Sequence, residues 1–380
     1  MSAPLLSYIV LSYNYAGFIG QTLSSILAQD VQDFEVVVVD DASSDASCAV
    51  VEGFGDPRIR LLRNERNLGG AGSYNRAVTA ARGTWLVNLD ADDWIEPGKA
   101  AAQLAAAEAD PSLDIIGTWV KLVGADGLPH PDAAQIEAAV NAAVELNSVS
   151  SWIGHNRLCR SSTMVRRDAH LRAGLDDEAM VRAPDYELWT RFLAQGSRFG
   201  MVAEPLTCYR LHARGVTHAD PRGTLLEMTW ALRRNLLPAM EARGVWNEWP
   251  AILDWLGGSL ALALLRARER ERLFGLLVLD RPAADFTAFR QLVETPDASL
   301  EAAGRRVLAM ALAAREPLGD LLKDINAYVG ARDYWIAQAG RWEQAAKDAV
   351  AALEQGKSCE PAQRPIHRPA GRFWRFFRSS

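Results

Sequence analysis

Short, almost wholly apolar runs alternate with helix-spaced apolar positions over the first third of the chain. Tyr8–Leu11 is the first run, and Ile19, Leu23, Ile26 and Leu27 then recur at helical spacing. Phe34–Val39 is β-branched and apolar at all but one position, which predicts a strand buried on both faces, as in a parallel sheet. A short helix over Ala46–Phe54, a strand over Ile59–Leu62, a turn over Asn67–Gly72 and a helix over Ser73–Ala81 follow. Thr84–Leu89 predicts a fourth strand. Pro97 opens an Ala-rich helix to about Ala109, and Leu113–Val123 is a further strand. This alternation predicts βαβ units and a parallel sheet, whose ligand sits beyond the carboxyl ends of the strands.

The pattern loosens from 124 to 220. Ser162–Val165 reads as a strand, Arg167–Ala173 as a short helix, Pro184–Ala194 as an amphipathic helix and Phe199–Leu211 as extended. From about Leu225 the chain turns rich in Ala, Leu, Arg and Glu. It predicts helices over roughly 224–243, 250–278, 284–293, 299–314, 317–329 and 331–355. The expected class is α/β with a mostly helical C-terminal region.

Composition narrows the function. The 380 residues are 49% hydrophobic and 23% charged, which excludes a mainly disordered chain. The net charge of −6 argues against general nucleic-acid binding. Cys48, Cys159, Cys208 and Cys359 form no C-x-x-C pair, so reduced thiols are expected rather than disulfides or a zinc site. The first ten residues lack a cationic segment, and no apolar stretch approaches the roughly 18 residues that span a bilayer, so the expected compartment is the cytoplasm.

Two predicted strand ends carry acids: Asp40-Asp41, and Asp90-Ala91-Asp92-Asp93. Carboxylates two residues apart at a strand end can converge on one hard cation, and Mg²⁺ and Mn²⁺ share such ligands with a diphosphate. Asp40 and Asp41 can accept hydrogen bonds from a ligand's N–H and O–H groups. Asn67–Gly72 does not fit the dinucleotide fingerprint, and no P-loop is present.

These pieces together resemble a family 2 glycosyltransferase. The segments are Ser7–Gly20, Ser24–Gln29, Asp33–Asp41, Arg63–Gly69 and Ala81–Asp93, in that order. The resemblance is strong over about 5–125, moderate over 150–218 and weak beyond 220. It implies a GT-A fold, a Rossmann-like nucleotide-sugar-binding domain, over 1–220, with a donor half to about 123 and an acceptor half after it. A helical region at 221–357 and a basic aromatic tail at 358–380 follow.

The resemblance also implies inverting transfer from a nucleoside-diphosphate sugar to a carbohydrate or lipid-linked acceptor, with Mn²⁺ or Mg²⁺. Ser12 and Tyr13 would line the nucleoside pocket, Asp40 and Asp41 would face the base or ribose, and Asn67 or Arg76 would lie near the donor. Asp90 and Asp92 would be the D-x-D pair, with Asp92 the stronger metal ligand and Asp90 nearer the ribose. Asp185, in Ala183-Pro-Asp-Tyr-Glu-Leu-Trp189, matches the general base, although Pro184 stands where the family usually has Glu. His212 matches a third metal ligand, and Arg210 could neutralise the leaving diphosphate.

Residues 331–356 suggest an amphipathic helix, short for a coiled coil, that packs within the chain or self-associates. The tail 364–380 interleaves Arg with Phe373, Trp374, Phe376 and Phe377, which suits either peripheral contact with an anionic membrane or a disordered tail. The competing readings are a non-catalytic nucleotide-sugar-binding scaffold and a sugar-nucleotide pyrophosphorylase. The second would need a Gly-rich loop with a basic residue after the first strand, and Leu11–Phe18 has none.

Overall fold

Each short apolar run of the N-terminal region forms a strand in the computed structural model, which describes residues 3–212, 220–245 and 248–313. The elements are β1 (Leu6–Ser12), α1 (Ile19–Leu27), β2 (Phe34–Asp40), α2 (Ser47–Gly53), β3 (Ile59–Arg63), α3 (Gly69–Ala80), β4 (Trp85–Asp90), β5 (Trp94–Ile95), α4 (Lys99–Ala109), β6 (Leu113–Val123), α5 (Ala133–Val140), β7 (Met164–Arg166), α6 (Arg167–Ala173), α7 (Pro184–Ala194) and β8 (Arg198–Arg210). They belong to the first of two compact units, residues 1–220 and 221–380.

The strands form one eight-stranded sheet in the order β3-β2-β1-β4-β7-β6-β8-β5. The first four strands are parallel, as their doubly buried composition requires. The sheet as a whole is mixed rather than parallel: β7 runs antiparallel to β4 and β6, and β5 antiparallel to β8. Although α5 lies between β6 and β7 and packs against β6, the chain enters β7 in the reverse sense.

On one face, Leu6, Tyr8, Val10, Val36, Val38, Val87 and Leu89 pack with Ile19, Leu23 and Ile26 of α1. Burying each such side chain contributes about 2 kcal/mol. The other face is covered by α3, which lies against β1 and β2. The predicted turn over Asn67–Gly72 is instead the first turn of α3 from Gly69 onward, because the Asp41 carboxylate accepts the Leu68 and Gly69 amides and so caps the helix from a distance. The predicted strand at Ser162–Val165 starts later, at Met164, after a 3-10 turn over Arg160–Ser162.

At the amino ends of the strands, Glu35 is buried at 3% exposure. It accepts from Ser7 Oγ at 2.8 Å, Arg60 Nη1 at 2.7 Å, and the Arg82 amide and Nε at 2.7 and 2.9 Å. Burial alone would raise its pKa, but the hydrogen bonds from Arg82, Ser7 and Arg60 prevail and hold the carboxyl below its ordinary range.

The described part of the second unit is helical: α8 (Pro221–Ala231), a π turn (Leu232–Leu236), α9 (Leu237–Arg243), α10 (Trp249–Gly258), α11 (Ala267–Gly275), α12 (Phe286–Glu294) and α13 (Ala298–Ala313). The single helix expected over 250–278 is broken. Gly257-Gly258-Ser259 ends α10, and the Glu269 carboxylate accepts the Arg266 amide at 2.8 Å where α11 begins. The crossing of α11 and α13 is close enough that a Cβ on Gly304 would lie 1.6 Å from the Glu271 carbonyl oxygen. Among the described residues no helix is long and apolar enough to cross a membrane. The helices expected at 317–329 and 331–355 and the tail from 358 lie outside the described residues.

Candidate active site

The carboxyl ends of β1 and β2 place Ser12 and Asp40 side by side, as register partners. Both are buried, and Ser12 Oγ and Asp40 Oδ2 lack hydrogen-bond partners. Buried polar atoms are rarely left so, and two adjacent ones at a strand end mark a place built for a polar ligand. Asp40 Oδ1 accepts the Ser43 amide at 2.9 Å. Asn14 and Ala42, in the loops that follow, hold φ of 58° and 63°, a strained conformation for residues with a Cβ. Tyr13 is 49% exposed beside them.

Asp41, Asn67 and Arg76 are employed differently. Asp41 Oδ1 accepts from Asn64 Nδ2 and the Leu68 amide, both at 2.7 Å, and Oδ2 from the Gly69 amide at 2.9 Å. Asn67 Oδ1 accepts the Gly69 amide at 3.0 Å. Arg76 Nη1 donates to the Arg63 carbonyl at 2.7 Å and to Asn64 Oδ1. The three side chains thus fasten the loop between β3 and α3.

The acidic loop leaves β4 at Asp90, whose amide donates to Ser161 Oγ at 3.0 Å. The Asp90 carboxyl is pushed up to about 7, first by burial and then by the charge of Asp92. Burial, then Asp92 and Asp90, push Asp93 well up too. Asp92 Oδ2 and His212 Nε2 are 2.8 Å apart. The His212 ring stacks on Phe18 at 5.6 Å and meets Tyr15 edge-on at 6.0 Å. Strand β8 therefore brings a residue 120 positions away onto the acidic loop.

Two carboxylates and an imidazole are chemically suited to a hard divalent cation, and the crowded negative charge that raises Asp90 is what such a cation would relieve. Among the described residues, however, no three His, Cys, Asp or Glu groups stand arranged around one point.

Asp185 sits in the first turn of α7, which Pro184 starts. Its Oδ1 accepts the Tyr186 amide at 2.8 Å and its Oδ2 accepts Asn156 Nδ2 at 2.9 Å. Support from Asn156 was not foreseen, because Asn156 lies in a segment with no periodicity. Glu187 is occupied with Arg191 at 3.0 Å. Arg160 was also missed. Its Nη2 pairs with buried Asp176 at 2.7 Å, its Cζ lies 3.9 Å from the Tyr74 ring centroid, and it feels the charges of both Asp185 and Asp90. Asp185, Asp90 and Asp92 thus share one electrostatic neighbourhood, with Ser12 and Asp40 at the neighbouring strand ends. Arg76 donates to the β3 end instead.

Residues 7–166 match the family model for glycosyl transferase family 2. The succinoglycan biosynthesis protein ExoO of Rhizobium meliloti is 32% identical over 216 residues, which are 56% of this chain and 61% of that protein. The chain therefore spans less than two thirds of that relative's length. An uncharacterized glycosyltransferase of Methanocaldococcus jannaschii is 27% identical over 218 residues, 56% of this chain and 73% of its own. The crystal structure of S. aureus TarS 1–349 in complex with UDP matches with a TM-score of 0.57 at 18% identity, covering 95% of this chain and 93% of that one. That likeness is one of fold, and the fold is GT-A.

Proposed function

Because this chain belongs to glycosyl transferase family 2 through residues 7–166, we propose that it moves a sugar from a nucleoside-diphosphate sugar to an acceptor hydroxyl with inversion at the anomeric carbon. The observation that carries the reading is the meeting of unsatisfied polar groups at the ends of β1 and β2, the acidic loop after β4, and a carboxylate at the start of α7.

Ser12 Oγ would donate to or accept from the nucleoside and Asp40 Oδ2 would accept from it, with Tyr13 beside them. Asp92 and His212, with Asp90, would hold Mn²⁺ or Mg²⁺, which when bound supplies Lewis-acid stabilisation of the departing diphosphate. Asp185 takes the acceptor hydroxyl proton as that oxygen bonds to the anomeric carbon and the bond from that carbon to the diphosphate breaks. Asn156 fixes one oxygen of Asp185, which leaves the carboxylate aimed before the acceptor arrives. The likeness to a succinoglycan biosynthesis protein supports an acceptor in surface polysaccharide or glycoconjugate synthesis.

The test is calorimetric titration with UDP, GDP, CDP, ADP and dTDP and their sugars, with and without Mn²⁺, on the unaltered protein and on Asp92→Ala. Metal-dependent binding of one nucleotide, weakened by the substitution, is expected. No binding of any nucleotide would overturn the reading.

A further inference from the structure

Arg210 is a cation two residues before His212, placed where its charge could meet a leaving diphosphate. The structure gives it different work. It is 5% exposed, and each of its three side-chain nitrogens bonds the protein. Nε donates to the Asp92 carbonyl at 2.7 Å, Nη1 to the carbonyls of Ala125 at 2.9 Å and Gly124 at 3.3 Å, and Nη2 to Gln21 Oε1 at 2.8 Å. Its own amide donates to Asp93 Oδ1 at 2.8 Å. The guanidinium carbon lies 4.7 Å from the Phe18 ring centroid and 4.9 Å from that of Trp94.

We propose that Arg210 is the positioning residue of the acidic loop, holding the backbone of Asp92 while His212 holds its carboxylate. The inference rests on the glycosyltransferase reading for its consequence, but its physical content stands alone. β8 ends at Arg210 and His212 follows two residues later, so the end of this strand delivers both groups to one aspartate. The planar fork suits this task, because one guanidinium reaches α1, the acidic loop and the turn after β6 at once. A lysine has a single nitrogen to divide among them. With Arg210 bonded inward, neutralising the diphosphate would fall to a cation held by the loop that Arg210 positions.

The experiment compares the full-length protein with Arg210→Met, Arg210→Lys and, as a control, Arg60→Met. Arg60 pairs with Glu35 at the opposite end of the same sheet, so its loss reports on stability alone. Three readouts are taken: melting temperature, amide hydrogen exchange over 90–95 and 124–126, and Mn²⁺-dependent binding of the nucleoside diphosphates named above. Arg210→Met is expected to speed exchange in both segments and to weaken metal-dependent binding by about 10–100-fold, the usual effect of losing a group that orients metal ligands. Arg210→Lys should recover only part of this. Arg60→Met should lower the melting temperature and leave binding unchanged.

Unaltered exchange and binding in Arg210→Met would overturn the proposal. So would an equal loss of binding in both Met variants, because the effect would then be general destabilisation. If the unaltered protein binds no nucleotide, the exchange data still decide whether Arg210 holds the loop, and only the glycosyltransferase reading falls.

Discussion

The two ends of the sheet treat buried carboxylates in opposite ways. At the amino ends, Glu35 has hydrogen bonds from Ser7, Arg60 and Arg82, and its carboxyl is held below its ordinary range. At the carboxyl ends, Asp90 and Asp93 are pushed up, and Asp40 Oδ2 and Asp93 Oδ2 are buried with no partner. The same fold that satisfies one acid completely leaves others in want of donors and positive charge. The first arrangement serves stability. The second is what a site looks like when its ligand supplies the missing partners.

The largest effect that tests this contrast is on turnover. Asp185→Asn keeps the α7 start but loses the proton acceptor, and turnover should fall by about 10³-fold, equivalent to about 4 kcal/mol of barrier. Nucleotide affinity and melting temperature should hold, and a steady-state assay beside calorimetry separates these. Retention of more than a tenth of the activity would place the base elsewhere.

Asp92→Ala should weaken metal-dependent nucleotide binding by about 10–100-fold, with little loss of stability, since it removes a charge from a crowded loop. Glu35→Gln should do the reverse: about 2 kcal/mol of stability lost, read as a lower urea midpoint, with unchanged nucleotide affinity. Because the Glu35 carboxyl is held low in the fold, its contribution is present above its unfolded pKa and disappears as pH falls through the folded value. The difference between the two proteins should therefore shrink in acid. If Glu35→Gln impaired binding as much as Asp92→Ala, the division between the two ends would be wrong.

The smallest effect at neutral pH is expected at His170, whose ring is fully buried against Tyr74 and Phe192 with neither nitrogen bonded. Burial pushes its pKa down to about 3. Between the ordinary value and that one the unfolded chain binds the extra proton, so stability falls as pH drops from about 6.5 toward 3. His170→Met should match the unaltered protein near pH 8 and surpass it increasingly below pH 6 in urea titrations. Parallel pH curves would remove His170 from the account.

The β-branched run of β2 was legible because a doubly buried strand leaves little choice of residue. The acidic loop was legible from its place after an apolar run and the start of α7 from Pro184, whereas Asp185 was singled out only by its match to the family pattern. The antiparallel entry of β7 was not, since three residues carry no directional signal. Asn156, Arg160 and Ser161 were hidden because they sit in a loop and a short 3-10 turn without periodicity and act through partners distant in sequence. Arg76 and Arg210 were visible as charges, but only geometry shows that their donors are bonded to the protein's own carbonyls and amides.

The reach of Arg210 also dictates when the loop can take shape. It bonds Asp92, Ala125 and Gln21 across sequence separations of 118, 85 and 189 residues. Strand β5, just past the acidic loop, finds its ladder partner only in β8. Contacts that close such long stretches of chain carry a large entropic penalty and are made late. During synthesis the early strands can associate while the acidic loop is still loose, and it becomes ordered once the chain has emerged through His212. Interrupted products ending before β8 should carry a nascent sheet whose acidic loop lacks its contacts with Arg210 and His212, which makes the last strand of this unit a checkpoint on the maturation of that loop.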